Sequence, residues 1–257
     1  MNVVLACAKT LNSFQLKVLE SFFESSMHKI CGCVVDNRAQ KSVFQRLKKN
    51  LKKGRGGYVL VMIFKSLFGQ RIHLESTVEF MRRKKVSVIF TNKPHSENTI
   101  DKIKGFEPDI IILNGGFGII KKPWLDTCKR GVLSYHHGDM RKYRGQPCVF
   151  WELYNGEKQI GMTVQKLSEG LDCGEAIVEK WISIKDNDTR NSLKKRVFDE
   201  SAPMMYEAVN LLEKEDFVPE KIESFGKVYT IPNLRQWLML NLKIGFRLVR
   251  KLWSGIV

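Results

Sequence analysis

The sequence predicts an α/β fold built on a Rossmann-like, mostly parallel sheet flanked by helices, and three observations carry that expectation. The chain opens with an apolar run, a segment of helical spacing and a second apolar run, which is a β-α-β unit. Asp109 to Leu113 is apolar from Ile110 onward and feeds the turn Gly115-Gly116-Phe117-Gly118. Gly131 to Tyr135 reads as a further strand that ends in a polar cluster, and ligands of open α/β sheets sit at such strand ends.

Val3 to Ala8 is the first buried strand and Leu11 to Met27 the first helix, with apolar residues on one face; Ile30 to Val35 follows as the second strand. No G-x-G-x-x-G follows the first strand, which argues against a dinucleotide enzyme. The opening run lacks a basic n-region, so it reads as a strand rather than a signal peptide. Val86 to Thr91 is the next strand and Asn98 to Gly105 a helix. Beyond the polar cluster, Val149 to Asn155 reads as a helix, and Gly161 to Leu167 and Glu175 to Ile184 as neighbouring strands. Thr189 to Lys214 reads as one long amphipathic helix introduced by Asp186-Asn187-Asp188.

Two segments lie outside this minimal sheet. Residues 37–74 contain no acidic residue, and there Lys41, Arg46, Lys48, Lys49, Lys52, Lys53 and Arg55 precede the apolar stretch Tyr58 to Phe64. Residues 233–257 are also acid-free and mix Arg235, Lys243, Arg247, Arg250 and Lys251 with Leu234, Trp237, Leu238, Phe246, Leu252 and Trp253. Both read as basic amphipathic helices. The expected organisation is a catalytic domain over residues 1–214, carrying a basic and apolar helical insert over 37–82. A linker and a basic amphipathic C-terminal helix then occupy 215–257.

The net charge of +16 on 257 residues implies an acidic partner: nucleic acid, an anionic membrane surface or a phosphorylated small molecule. No run reaches the roughly 20 apolar residues of a spanning helix. Six scattered cysteines without a C-x-x-C pair argue against a zinc ribbon or a thioredoxin-type site; no metal is expected, and the thiols read as reduced in a cytoplasmic protein.

The polar cluster is Ser134-Tyr135-His136-His137-Gly138-Asp139, then Tyr143-Arg144-Gly145 and Leu171-Asp172-Cys173-Gly174. Taken alone, His136 reads as a satisfied core histidine, and Asp172 also as a turn residue holding backbone amides. Taken together they suit proton transfer, because histidine exchanges protons near neutral pH and a carboxylate beside it fixes its orientation and charge. His137 points to the opposite face if the strand persists.

The layout resembles the formyltransferase family that uses 10-formyltetrahydrofolate, whose signature runs roughly G-x-(I/L)-N-x-H-x-S-L-L-P-x-Y-R-G and later L-D-x-G. Aligned on Tyr143-Arg144-Gly145, the signature's histidine falls on His136, its asparagine on Ser134 and its aspartate on Asp172. The resemblance covers about Val86 to Leu212 and implies a formyltransferase-type fold, with 10-formyltetrahydrofolate as formyl donor. It implies His136, Asp172 and Ser134 as catalytic residues, Phe117, Gly118, Ile120 and Leu171 at the folate, and His137, Asp139 and Arg144 at the acceptor. Pro123-Trp124-Leu125, Gln146-Pro147 and Gly161-Met162-Thr163-Val164 continue the pattern, whereas Gly138-Asp139-Met140-Arg141 replaces S-L-L-P.

The implied reaction is formyl transfer to a primary amine. An amino sugar is the favoured acceptor, nucleotide-linked and serving surface glycan synthesis; glycinamide ribonucleotide, methionyl-tRNA and water are the alternatives. A rival of another class is a catalytically impaired module that uses its basic face on nucleic acid or membrane, kept open by serine at 134, since a lost oxyanion donor costs on the order of a hundredfold in rate. The two basic segments point to peripheral attachment at the inner face of an anionic membrane.

Overall fold

The computed structural model describes residues 1–25, 27–39, 42–52, 59 and 74–254. Seven strands form the central sheet: β1 (Asn2–Cys7), β3 (Lys29–Asp36), β5 (Val88–Thr91), β6 (Ile110–Asn114), β7 (Val132–His137), β9 (Gln159–Lys166) and β10 (Glu175–Ser183). Their order across the sheet is β10-β9-β7-β6-β1-β3-β5. Strands β5, β3, β1, β6 and β7 run parallel, and β9 and β10 close one side antiparallel. The strand order reverses between β1 and β6, and the carboxyl ends beside such a switch point form the crevice of an open α/β sheet.

Why the parallel strands read as continuous apolar runs is visible in the core. Val3, Leu5 and Cys7 of β1 and Ile110 and Ile112 of β6 enter one cluster, while Val4, Ala6 and Ile111 enter the other. Alternate side chains point to opposite faces, so a sheet covered on both sides needs apolar residues at every position. Helix α1 (Ser13–Ser25) lies on the first face, and α4 (Glu97–Lys104) and α5 (Lys122–Leu125) supply Ile100, Ile103 and Trp124 to the second.

The first helix begins later than its spacing predicts, because β2 (Thr10–Asn12) pairs antiparallel with β4 (Leu74–Ser76) and Asn12 Oδ1 accepts from the backbone N–H of Phe14 and Gln15. The single helix expected over Thr189 to Lys214 is two, α7 (Arg190–Ser201) and α8 (Met204–Glu213). Pro203 separates them, since it offers no N–H to the preceding turn. Within the basic insert, α2 (Val43–Lys52) is described and α3 (Thr77–Arg83) closes the segment. Lys41, Lys53, Arg55 and, apart from Val59, the stretch Tyr58 to Phe64 lie outside the described residues.

Residues expected to form a plain linker contain β11 (Lys227–Tyr229), which pairs in parallel with β8 (Tyr143–Gly145). The chain then forms α9 (Leu234–Ser254), which packs against α6 (Phe150–Asn155) and buries Leu240 and Ile244. Lys243 Nζ and Arg247 Nη2 bond the carbonyls of Tyr154 and Asp188 at 2.7 and 2.8 Å.

Candidate active site

His136 is the penultimate residue of β7, on the face that also carries Ser134, and only 5% of it is exposed. Its Nε2 donates to the carbonyl of Tyr143 at 2.7 Å, and its Nδ1 lies 3.4 Å from Asp172 Oδ2. Asp172 sits at φ +46 in the β9–β10 turn, where Oδ2 also accepts the N–H of Gly145 at 2.7 Å. A Cβ on Gly138 would stand 3.0 Å from His136 Nε2 and 3.1 Å from Glu152 Oε1, so the absence of a side chain there lets α6 turn a carboxyl toward the ring. Glu152 is 3% exposed and its Oε2 has no hydrogen-bond partner.

These neighbours set the protonation. Burial alone would lower the His136 pKa, but the Asp172 carboxylate, the Tyr143 carbonyl and the Glu152 charge outweigh it and hold it above the ordinary histidine value. Burial likewise pushes Asp172 upward, and His136, the Gly145 amide and Gln165 overcome that to leave it below the carboxylate range. Burial dominates at Glu152, which is pushed up to about 7 against the pull of backbone amides and His136. The arrangement is a buried imidazolium between two carboxyl groups, one ionised and one readily protonated. Nδ1 faces the more open side, where Asp172 keeps 18% of its side chain exposed.

Ser134 pairs across the sheet with Gln165, and His136 with Thr163, so these side chains share a face. Gln165 is 1% exposed; its Oε1 accepts the N–H of Gly174 at 3.0 Å, and its Nε2 makes no hydrogen bond. Gly174 is required at its position, because a Cβ would overlap the Lys166 carbonyl.

At the switch point, Gly115, Gly116, Phe117 and Gly118 hold four consecutive positive φ angles, from +47 to +100°. The Phe117 N–H bonds Asp36 Oδ2 at 3.0 Å, and its ring packs on Trp124 at 4.9 Å between centroids. The Phe117 ring and Ile120 are therefore core, and the turn offers backbone to a ligand. Around Gly118 a Cβ would meet no atom within 4 Å, so a flat ring has room to approach this backbone. His95, whose Nδ1 is also buried without a partner, accompanies that turn: burial, with Lys121 and Arg38, lowers its pKa despite a bond with the Ile119 backbone. The geometry fits a planar heterocycle read by main-chain groups.

Three residues expected at the acceptor are used otherwise. His137 points to the opposite face, bonds Ser201 Oγ at 3.0 Å and packs among Phe14, Tyr135 and Phe198; loss of water there holds its pKa below the ordinary value. The Asp139 carboxylate accepts from the Arg141 backbone at 3.0 Å and its guanidinium at 3.4 Å, stabilising the loop. Arg144 donates to the carbonyls of Gly226 at 2.8 Å and Leu171 at 3.3 Å, tying β8 to the Asp172 turn. Leu171 takes part through that carbonyl, and its side chain is 38% exposed beside the site.

Glu152 and Gln165 were missed by the sequence reading. The available signals were a glutamate among Phe150, Trp151 and Leu153, and a glutamine in a strand otherwise rich in buried residues.

A family model described as "Formyl transferase" matches residues 33–209. A methionyl-tRNA formyltransferase of Clostridioides difficile is 28% identical over 170 residues, covering 66% of this chain and 55% of that protein. The chain thus spans about half the length of the curated relatives it matches. Among solved structures, the glycinamide ribonucleotide transformylase 1 of Symbiobacterium toebii superposes with a TM-score of 0.59 at 16% identity, covering 86% of this chain and 94% of that one. An N-formyltransferase of Helicobacter canadensis, in complex with folinic acid and dTDP-3-aminofucose, gives 0.57 at 15% identity over 95% of this chain and 80% of that one. At these identities the structures establish likeness of fold.

Proposed function

The chain belongs to the formyl transferase family, and from that membership we propose that it transfers a formyl group from 10-formyltetrahydrofolate to a primary amine. The observation that carries this reading is the His136 and Asp172 pair, 3.4 Å apart at the carboxyl end of the sheet beside a turn open to a planar ring. The amine nitrogen attacks the formyl carbon, the bond from that carbon to the folate nitrogen breaks, and one amine proton passes to the leaving nitrogen. His136 supplies positive charge beside the formyl oxygen where negative charge develops, its ring held by the Tyr143 carbonyl at Nε2 and by Asp172 at Nδ1. Asp172 holds the imidazolium and takes up the amine proton directly or through water. Backbone groups of Gly115 to Gly118 bind the pterin ring.

For the acceptor we infer an amino sugar linked to a nucleotide. The positive charge of the chain supports an anionic acceptor, and sugar formyltransferases are among the proteins of like fold. The test is incubation with 10-formyltetrahydrofolate and a panel of amino-sugar nucleotides, glycinamide ribonucleotide and methionyl-tRNA, with mass detection of the formyl adduct. An adduct on an amino sugar alone is expected; formate release with no adduct makes the protein a hydrolase, and no folate consumption sinks the reading.

A second reading concerns location. On α9, Leu238, Leu242, Phe246, Val249 and Trp253 are more than half exposed along one stripe, on a helix whose last turns also carry Arg250 and Lys251. Among the described residues no helix is long and apolar enough to cross a membrane. The stripe supports peripheral attachment to an anionic bilayer.

A further inference from the structure

We propose that Gln165 is a catalytic residue, its carboxamide donating to the formyl oxygen in place of the amide that Ser134 lacks. The inference rests on the formyl-transfer reading above. A serine hydroxyl at 134 ends one bond beyond Cβ and falls short of where a carboxamide on that strand would end. The antiparallel register of β7 and β9 places Gln165 directly opposite Ser134, on the face that carries His136. A longer side chain from the neighbouring strand thus covers the space that the shorter one leaves.

The orientation of the amide is fixed by its surroundings. The Gly174 N–H, 3.0 Å away, demands an acceptor, which assigns Oε1 to that amide and leaves Nε2 on the Asp172 side of the carboxamide. Nε2 is buried and makes no hydrogen bond, although it lies close enough to Asp172 to help stabilise that carboxylate. A buried amide donor without a partner is costly unless something else completes it, and a developing oxyanion beside Asp172 and His136 is such an acceptor. The same bond to Gly174 makes Gln165 a support of the turn that presents Asp172, so the test separates donation from support.

The experiment uses the full chain and 5-formyltetrahydrofolate labelled with carbon-13 in the formyl group, a stable analogue whose carbonyl stretch reports hydrogen bonding. Binding is measured by calorimetry and the bound stretch by isotope-edited infrared spectroscopy, for wild type, Gln165→Met and Gln165→Met with Ser134→Asn. The expected result is tight binding in all three, a stretch that rises in Gln165→Met, and its return toward wild type when asparagine is added at 134. In parallel, Gln165→Met should lower kcat on the order of a hundredfold with KM for the donor little changed, and Ser134→Asn should recover at least tenfold of it. Should the methionine variant not fold, Gln165→Glu is read in its place, since it keeps an acceptor for Gly174 and presents an oxygen where the amide donated. An unchanged stretch with binding intact overturns the proposal and leaves the formyl-transfer reading standing. Absence of folate binding in wild type overturns that reading, and this inference with it.

Discussion

The proton on His136 is held by competition, and each carboxyl beside it enters with a different sign. Its pKa stands above the ordinary value because Asp172 and the Tyr143 carbonyl overcome the cost of burial. Asp172→Asn removes the larger of the favourable partners, so the imidazole pKa should fall, and a histidine-resolved NMR titration reads the midpoint directly. A midpoint equal to wild type would mean that Asp172 does not govern this ring. The stability that this histidine contributes is complete below its unfolded value and is lost as pH rises through the folded one. Glu152 behaves likewise for another reason: burial raises it to about 7, so its neutral form is the one the fold accepts. Stability from that source is full below the unfolded carboxyl value and is lost as pH climbs toward and through about 7. Glu152→Gln should therefore gain on the order of 2–3 kcal/mol over wild type at pH 8 and little at pH 5, measured by urea unfolding. Equal differences at both pH values would contradict a buried ionising carboxyl. His136 and Asp172 were legible in the sequence because a fixed interval along the chain marks them. Glu152 and Gln165 were not, because their relevance comes from burial and cross-strand register, which no local pattern encodes.

At the scale of elements, the site depends on two short strands far apart in sequence. β8 carries the Tyr143 carbonyl that orients His136 and the Gly145 N–H that orients Asp172, and β11 pairs with it from beyond the last core helix. A Cβ at Gly145 would overlap the Tyr229 carbonyl, at a backbone φ of +88 that side chains rarely adopt. Gly145→Ala is expected to cost about 2 kcal/mol or more in denaturant unfolding, and to loosen β11 so that the Gln146 amide, which donates to the Tyr229 carbonyl, exchanges faster with solvent. A variant as stable as wild type with unchanged exchange would show that this pairing contributes little. The apolar strands β1, β3 and β6 could be read directly, since burial on both faces writes a nearly uninterrupted hydrophobic run. Strands β2, β4, β8 and β11 have three residues each and no periodicity to display. The break between α7 and α8 was written in Pro203 but masked by helical spacing on either side.

Over the whole molecule, α9 is the described helix that leaves the most large apolar side chains exposed. Leu240 and Ile244 dock the helix on α6, and Trp237 is half-buried with Arg190 over its ring, so the opposite stripe is what remains for a partner. That stripe includes Phe246 and Trp253, each 74% exposed, and Arg250 and Lys251 lie on the same end of the helix. Each basic side chain near an anionic surface contributes about 1 kcal/mol, and insertion of the two aromatic rings adds apolar burial that salt does not screen. Removing the helix would uncover Leu240 and Ile244, so substitution of its outer face is the cleaner probe. The double variant Phe246→Ser, Trp253→Ser should keep wild-type thermal stability and lose at least tenfold in partitioning onto phosphatidylserine vesicles, with the residual binding abolished by salt. Wild type should prefer those vesicles over neutral phosphatidylcholine. Equal binding to both lipids, or no effect of the two substitutions, would detach α9 from any membrane role, and salt-sensitive binding to RNA in place of vesicles would assign the charge to nucleic acid.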